Sequence, residues 1–187
     1  AGKPLQDYDG KILLRVLDTR KSYVYTSTSG YKSNTLQTMG NNIFRGIAAV
    51  ENGEFSVKLI VPKDISYGGN DARVSLYFWN ENTSGTGAAK GIAVGSSGAN
   101  LVDSEGPNMH IYFGNPDFVP GDYVSTRPSL TLNVSDSVSG VNTAGDIGHQ
   151  ILLTLDEDYT NSKDITEFFT YKEGSYTDGA LTYTILD

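Results

Sequence analysis

The sequence predicts an all-β chain, and three observations carry that expectation. Short β-branched and aromatic runs recur along the whole length, bounded by clusters of Gly, Asn, Asp and Ser. Leu130-Thr131-Leu132-Asn133-Val134 alternates apolar and polar residues, so that every second side chain faces one side of a strand. Asn52-Gly53 stands between two apolar runs, and both residue types accept the positive φ of a type I′ hairpin turn.

Taken in order, strands are expected over residues 11–18, 23–27, 43–51, 55–61, 73–79 and 91–94. A second set is expected over 109–113, 130–135, 149–155 and 181–186. Helix signals are weak. Asp164-Ile165-Thr166-Glu167-Phe168-Phe169 reads either as one turn capped by Asp164, with Glu167 three residues on, or as a short strand.

A run of small polar residues, Gly95-Ser96-Ser97-Gly98-Ala99-Asn100, precedes Asp103-Ser104-Glu105-Gly106-Pro107, after which the strand pattern restarts. Pro107 lacks an N–H and suits the entry to an edge strand. Two tandem β-sandwich domains of immunoglobulin or fibronectin III style are therefore expected, over residues 1–102 and 103–187. The second shows roughly four clear strands where such a sandwich has about seven, and it is expected to lack its last strand.

The chain of 187 residues carries 12 Tyr, 7 Phe and 1 Trp, enough large packing surface for a core although only 38% of residues are hydrophobic. Its 22 acidic against 14 basic residues give a net charge of −8. That field repels nucleic acid and anionic membrane surfaces, and no basic run in the sequence offsets it. The absence of cysteine removes disulfides, thiolate zinc sites and a cysteine nucleophile together. No apolar run approaches the roughly 20 residues that span a bilayer. The polar opening is not a signal peptide, so the segment is expected to be positioned by whatever precedes it.

Chemistry-bearing constellations are sparse. His110 and His149 are the two histidines, and the nucleophile-elbow pattern G-x-S-x-G is absent. Each His falls at the start of an expected strand, so structural hydrogen bonding is the expected role, and no cofactor is expected. Asp156-Glu157-Asp158 reads as a solvated turn. With Asn161 it is also the weak calcium candidate (Asp156, Asp158, Asn161), although calcium wants six to eight oxygens and the run departs from the D-x-[DN]-x-[DN]-G loop. Asp7-Tyr8-Asp9-Gly10 carries half that pattern, which an Asx turn satisfies without metal. In Tyr77-Phe78-Trp79, period-2 geometry puts Tyr77 and Trp79 on one face and Phe78 on the other. Tyr77 and Trp79 are the candidate interaction surface, read first as core or inter-domain packing and second as a platform for sugar rings.

The Gly-punctuated loop after residue 135 carries a resemblance as well as turn chemistry. Ser139-Gly140-Val141-Asn142, followed by Asp146-Ile147-Gly148-His149-Gln150-Ile151, resembles a signature that follows the peptidase domain in PorU-type sortases of the Bacteroidetes type IX secretion system. Other stretches are similar to that region in the same order: Phe44-Arg45-Gly46 leading to Val50-Glu51-Asn52-Gly53-Glu54-Phe55, then Val61-Pro62-Lys63-Asp64-Ile65-Ser66-Tyr67, then Val74-Ser75-Leu76-Tyr77. Asp103 to Pro107 with Ile111-Tyr112-Phe113 and Phe118-Val119, and finally Gly179-Ala180-Leu181-Thr182-Tyr183, complete the series.

The resemblance implies a longer parent with a gingipain-like cysteine peptidase domain upstream. That parent removes C-terminal sorting domains from secreted cargo and attaches the cargo to anionic lipopolysaccharide. Its catalytic Cys and His lie in the upstream domain, so this segment is expected to be a non-catalytic accessory or spacer region. The implied partners are the peptidase domain of the same parent chain and outer-membrane secretion components. The implied location is extracellular, at the outer-membrane surface, rather than the periplasm. Asp136-Ser137-Val138 fits the D-[S/T]-apolar pattern of Bacteroidetes O-glycosylation and makes Ser137 the candidate acceptor. A strand left unpaired at the sheet edge is expected to give weak self-association. The alternative is a stand-alone surface adhesin or carbohydrate-binding β-sandwich.

Overall fold

A computed structural model describes residues 5–26, 33–61, 71–93, 103–144 and 148–186. Within them the chain is all-β apart from two single 3-10 turns, Tyr159–Asn161 and Thr166–Phe168. The strands, in chain order, are β1 (Gly10–Leu17), β2 (Lys21–Thr26), β3 (Ser33–Thr38), β4 (Asn42–Val50), β5 (Ala72–Trp79) and β6 (Ser84–Ile92). There follow β7 (Asn108–Phe113), β8 (Ser129–Ser135), β9 (Leu152–Leu153), β10 (Lys163–Asp164), β11 (Thr170–Tyr171) and β12 (Asp178–Thr184).

Eight of these strands form one sheet in the order β6-β5-β1-β4-β11-β12-β8-β7, with β9/β10 and β2/β3 as separate antiparallel pairs. β1 is central to the first half, pairing antiparallel with β4 on one side and β5 on the other. Its Ile12, Leu14 and Val16 are buried while Lys11 and Arg15 are exposed, the alternation that a half-buried strand requires. β8 repeats this with buried Leu130, Leu132 and Val134, and β12 sets Leu181 and Tyr183 beside them.

The expected division, between residues 102 and 103, directly follows residues 94–102, which lie outside the described residues. The two halves meet at β11, where Tyr171 pairs in parallel with Gly46 of β4 and β11 itself runs antiparallel to β12. The Tyr171 ring stacks on Phe44 at 4.7 Å between centroids, 10° from parallel, and meets Phe169 edge-on. Leu14, Val16, Ile43 and Phe44 of the first half thereby share one buried cluster with residues of β8, β11 and β12.

Several expected strands take a different form. Residues 55–61 form no ladder. Asn52 (φ 52°) and Gly53 (φ 78°) make the expected tight turn, closed by a single bridge between Glu51 and Glu54. The turn is pinned to the N-terminal segment: Gly53 N–H donates to Tyr8 O and Asn52 N–H to Asp9 Oδ1, both at 2.8 Å. The chain then leaves the sheet and lays Val57 and Leu59 over the core as a strap. The strand expected over 149–155 shrinks to β9, because the Ile151 N–H is taken by the Thr166 hydroxyl at 2.7 Å rather than by a neighbouring strand. The segment after Asp164 is a 3-10 turn rather than a strand, and its N-cap is Ile165, without a side-chain cap bond, rather than Asp164; the Asp164 carboxylate, at the end of β10, accepts from Thr166 N–H at 2.9 Å.

β3 and β11 fall in no expected strand, and the strand expected over 91–94 meets β6 only at Gly91 and Ile92. β6, Ser-Gly-Thr-Gly-Ala-Ala-Lys-Gly-Ile, lacks apolar alternation because two of its inward positions, Gly85 and Gly87, are glycines covered from across the ladder. A Cβ at Gly85 would stand 2.5 Å from the Phe78 ring, and one at Gly87 3.1 Å from Leu76. β3 is mostly polar, and nearly every residue of the β2/β3 hairpin is exposed, without a core to face among the described residues. The resemblance segments at residues 62–67 and 146–147 lie outside the described residues.

Candidate functional site

The loop after β8 owes its shape to Asp136. Its carboxylate is 8% exposed and accepts from Val138 N–H at 3.0 Å, Ser139 N–H at 2.9 Å and the Ser139 hydroxyl at 2.9 Å, an Asx turn. Burial alone would push this carboxyl up, but the hydrogen bonds from Ser139 and Val138 outweigh it and hold the group below its usual value. Gly140 follows at φ +73°, where a Cβ would stand 3.0 Å from both Ile60 and the Tyr176 carbonyl. Val141 C=O then accepts from the buried Tyr171 hydroxyl. Burial pushes that hydroxyl's pKa up to about 12, so it stays a donor across the physiological range. The Ser139–Asn142 string therefore ties β8 to the joint at β11, and its role is architectural. Ser137 stands on the outside of the turn with its side chain exposed.

The calcium candidates sit in a two-step turn. Asp156 (φ 50°) and Glu157 (φ 60°) are both left-handed, and Asp158 N–H returns to Leu155 O at 2.9 Å. The Asp158 carboxylate accepts from Thr160 N–H (3.2 Å), the Thr160 hydroxyl (2.6 Å) and Asn161 Nδ2 (2.6 Å). Those bonds, led by the Thr160 and Asn161 side chains, hold its pKa below the ordinary value. Asn161 thus presents its amide donor to Asp158, and the arrangement is a helical N-cap. Asp9, in the other half-pattern, is occupied by Asn52 and by Asn80, whose amide reaches its carbonyl at 2.8 Å. Among the described residues no three His, Asp or Glu side chains converge as metal ligands. His110 lies on β7 beside Tyr112, with ring centroids 5.4 Å apart.

Tyr77 and Trp79 stand on the outer face of β5, their rings nearly parallel (18°) at 5.5 Å, with Tyr77 43% exposed. Phe78 turns inward and meets Tyr8 edge-on. The ladder registers define the rest of this face. Lys11 is opposite Trp79, Leu13 opposite Tyr77 and Arg15 opposite Ser75, while on the other side of β1 the same residues meet Ala49, Ile47 and Arg45. Thr86 and Ser84 of β6 flank the aromatic pair, and Lys90 lies opposite Arg73. Arg45 donates to Glu167 C=O, and burial together with the facing Arg15 pushes its guanidinium below the ordinary value. A cleft of about 320 Å³, lined by Arg15, Asn42, Thr143, Asp164, Thr166 and Glu167, opens beside this arginine pair.

Period-2 reasoning places Tyr77 and Trp79 correctly relative to each other. The cations that share their face come from separate strands, and only the pairing register brings them together.

No protein-family model matches the sequence, and no curated protein does. Among solved structures the chain is similar to dimeric latent PorU from Porphyromonas gingivalis, with 26% identity over 97% of this chain and a TM-score of 0.53. The similarity spans 17% of that protein's chain. Among the described residues no helix is long and apolar enough to cross a membrane.

Proposed function

We propose that this chain is a non-catalytic accessory region of a cell-surface sortase of the type IX secretion machinery, joined in its parent to a cysteine peptidase domain. The observation that carries this reading is the similarity to one sixth or so of PorU over almost the whole of this chain. The ordered series of motifs from Phe44 to Tyr183 adds to it. The polar groups of the motif loop are spent on holding β8 to β11, as befits a rigid spacer. In this reading the two halves, 1–102 and 103–187, act as tandem sandwich units that position the peptidase at the outer surface of the outer membrane. Secretion components of that membrane are their docking partners.

Incubating the purified chain with a peptide carrying a cargo sorting signal is expected to give no cleavage. Turnover by this chain alone, persisting after both His110 and His149 are replaced, would overturn the accessory reading. A stand-alone surface-binding sandwich is the second reading, favoured by the solvent-facing Tyr77 and Trp79 pair.

A further inference from the structure

The two halves of the chain meet around the cleft of about 320 Å³ as well as through the Phe44 and Tyr171 stack, and that volume lies within the range of small-molecule sites. Arg15 and Asn42 reach it from β1 and β4 of the first half, and Thr143 from the loop after β8. Asp164, Thr166 and Glu167 reach it from the end of β10 and the turn that follows. All six lining side chains are polar. Arg45, directly opposite Arg15 in the β1/β4 ladder, stands beside them and donates to the Glu167 carbonyl rather than to its carboxylate.

Several of these groups are committed to the fold. Asp164 accepts from Thr166 N–H and from Gln150 Nε2, both at 2.9 Å. The Thr166 hydroxyl accepts from Ile151 N–H at 2.7 Å, and the Thr143 hydroxyl, almost wholly buried, bonds to that of Tyr171. Three others are not committed. Arg15 and Glu167 are exposed and line one cleft, yet neither forms an ion pair among the described residues. The Asn42 Oδ1 is buried and has no hydrogen-bond partner among them.

Opposite charges that share a cleft without touching leave a place for an anion beside a place for a cation. The two arginines balance Asp164 and Glu167, so the cleft as a whole favours neither sign. A simple anion meets the two carboxylates there and a simple cation the two guanidiniums. A molecule that carries both charges on neighbouring atoms meets an opposite charge at each end. Arg15 and Arg45 also repel each other across the ladder, a cost that an anion set between them relieves.

We propose that this cleft binds a small free amino acid as its zwitterion, the α-carboxylate between Arg15 and Arg45 and the α-ammonium toward Glu167 and Asn42. Charge-assisted hydrogen bonds then form at both ends of the ligand. The ammonium brings three donors, and a turn of the Asn42 amide about χ2 offers its unpartnered carbonyl to one of them. Walls without an apolar side chain select a short polar side group such as a hydroxymethyl. The inference rests on this cleft alone and holds whether the chain stands alone or belongs to a longer parent.

Amide chemical-shift mapping by NMR on the intact chain tests it, with L-serine raised to about 20 mM so that a Kd in the millimolar range is seen. N-acetyl-L-serine, which lacks the cation, and L-serine methyl ester, which lacks the anion, are the matched probes. L-serine is expected to shift the amides of Arg15, Thr143 and Glu167 and to bind at least tenfold more tightly than either blocked form. Arg15→Gln and Glu167→Gln, both at exposed positions, are each expected to weaken it at least tenfold while the rest of the spectrum keeps its dispersion. Lys172→Gln, outside the cleft, is expected to leave binding unchanged. Absence of shifts means that Arg15 and Glu167 answer only each other, and it would overturn the proposal. So would equal affinity for either blocked serine, or binding that survives both cleft substitutions.

Discussion

Asp136 shows how much of this molecule's order depends on single polar side chains. Its carboxylate is nearly buried, yet three donors from two consecutive residues, Val138 and Ser139, favour its charged form. A folded-state pKa below the unfolded value near 3.9 contributes stability that is complete above that value and is lost as pH falls through the folded one. Asp136→Asn keeps the shape and gives up the charge. It is expected to cost about 1–2 kcal/mol at pH 7, a deficit that narrows as pH falls below the unfolded carboxyl value of about 3.9. Denaturant titrations at several pH values measure it, and a deficit independent of pH would contradict the role given to the charge. Tyr171→Phe probes the joint in the same way. The ring stack on Phe44 survives, but the Val141 carbonyl loses its donor. The expected cost is about 1–2 kcal/mol, or a fall of several degrees in Tm for a chain of this size.

At the scale of elements, the β2/β3 hairpin stands apart from the main sheet. Tyr23, Val24, Tyr25 and Leu36 are all about half exposed or more. An isolated two-stranded hairpin is marginally stable in water. Amide hydrogen exchange is expected to be fast over 21–26 and 33–38 and slow in β1, β4 and β8. Protection of the hairpin equal to that of β1 would show that something covers it. The strands legible in the sequence are those whose own residues alternate against the core, such as β1, β4, β5, β8 and β12. Most of β6 and all of β3 were illegible for opposite physical reasons. Two inward positions of β6 are covered by Phe78 and Leu76 from the neighbouring strand, whereas β3 has no core to face among the described residues. Residues 55–61 misled because Val57 and Leu59 are apolar for a strap as well as for a strand, and periodicity cannot tell the two apart. The same limit applies to the candidate site. Tyr77 and Trp79 could be paired from spacing, but Arg15, Arg45, Arg73 and Lys90 are neighbours only through the register of four strands.

Across the whole molecule, the sheet ends in an edge that invites contact. Met109 and Ile111 lie opposite buried Val134 and Leu132, on the core side, yet they are 66% and 55% exposed. β7 is the last strand in the sheet order, and between Asn108 and Phe113 it has neither Pro nor a Lys, Arg, Asp or Glu to deter pairing. We therefore expect weak self-association that grows with concentration in sedimentation velocity and disappears in Ile111→Lys. A strictly monomeric profile at high concentration would remove this edge from consideration.

The central claim is that the chain serves as an accessory region within a larger peptidase. The most direct measurement is the intact mass and peptide map of the native protein, purified from the outer membrane of its source. Peptides from this chain are expected within one much longer polypeptide that also contains a Cys/His peptidase region. A mature protein of about 20.2 kDa, the mass of this chain alone, would contradict the accessory reading and leave surface binding as the function.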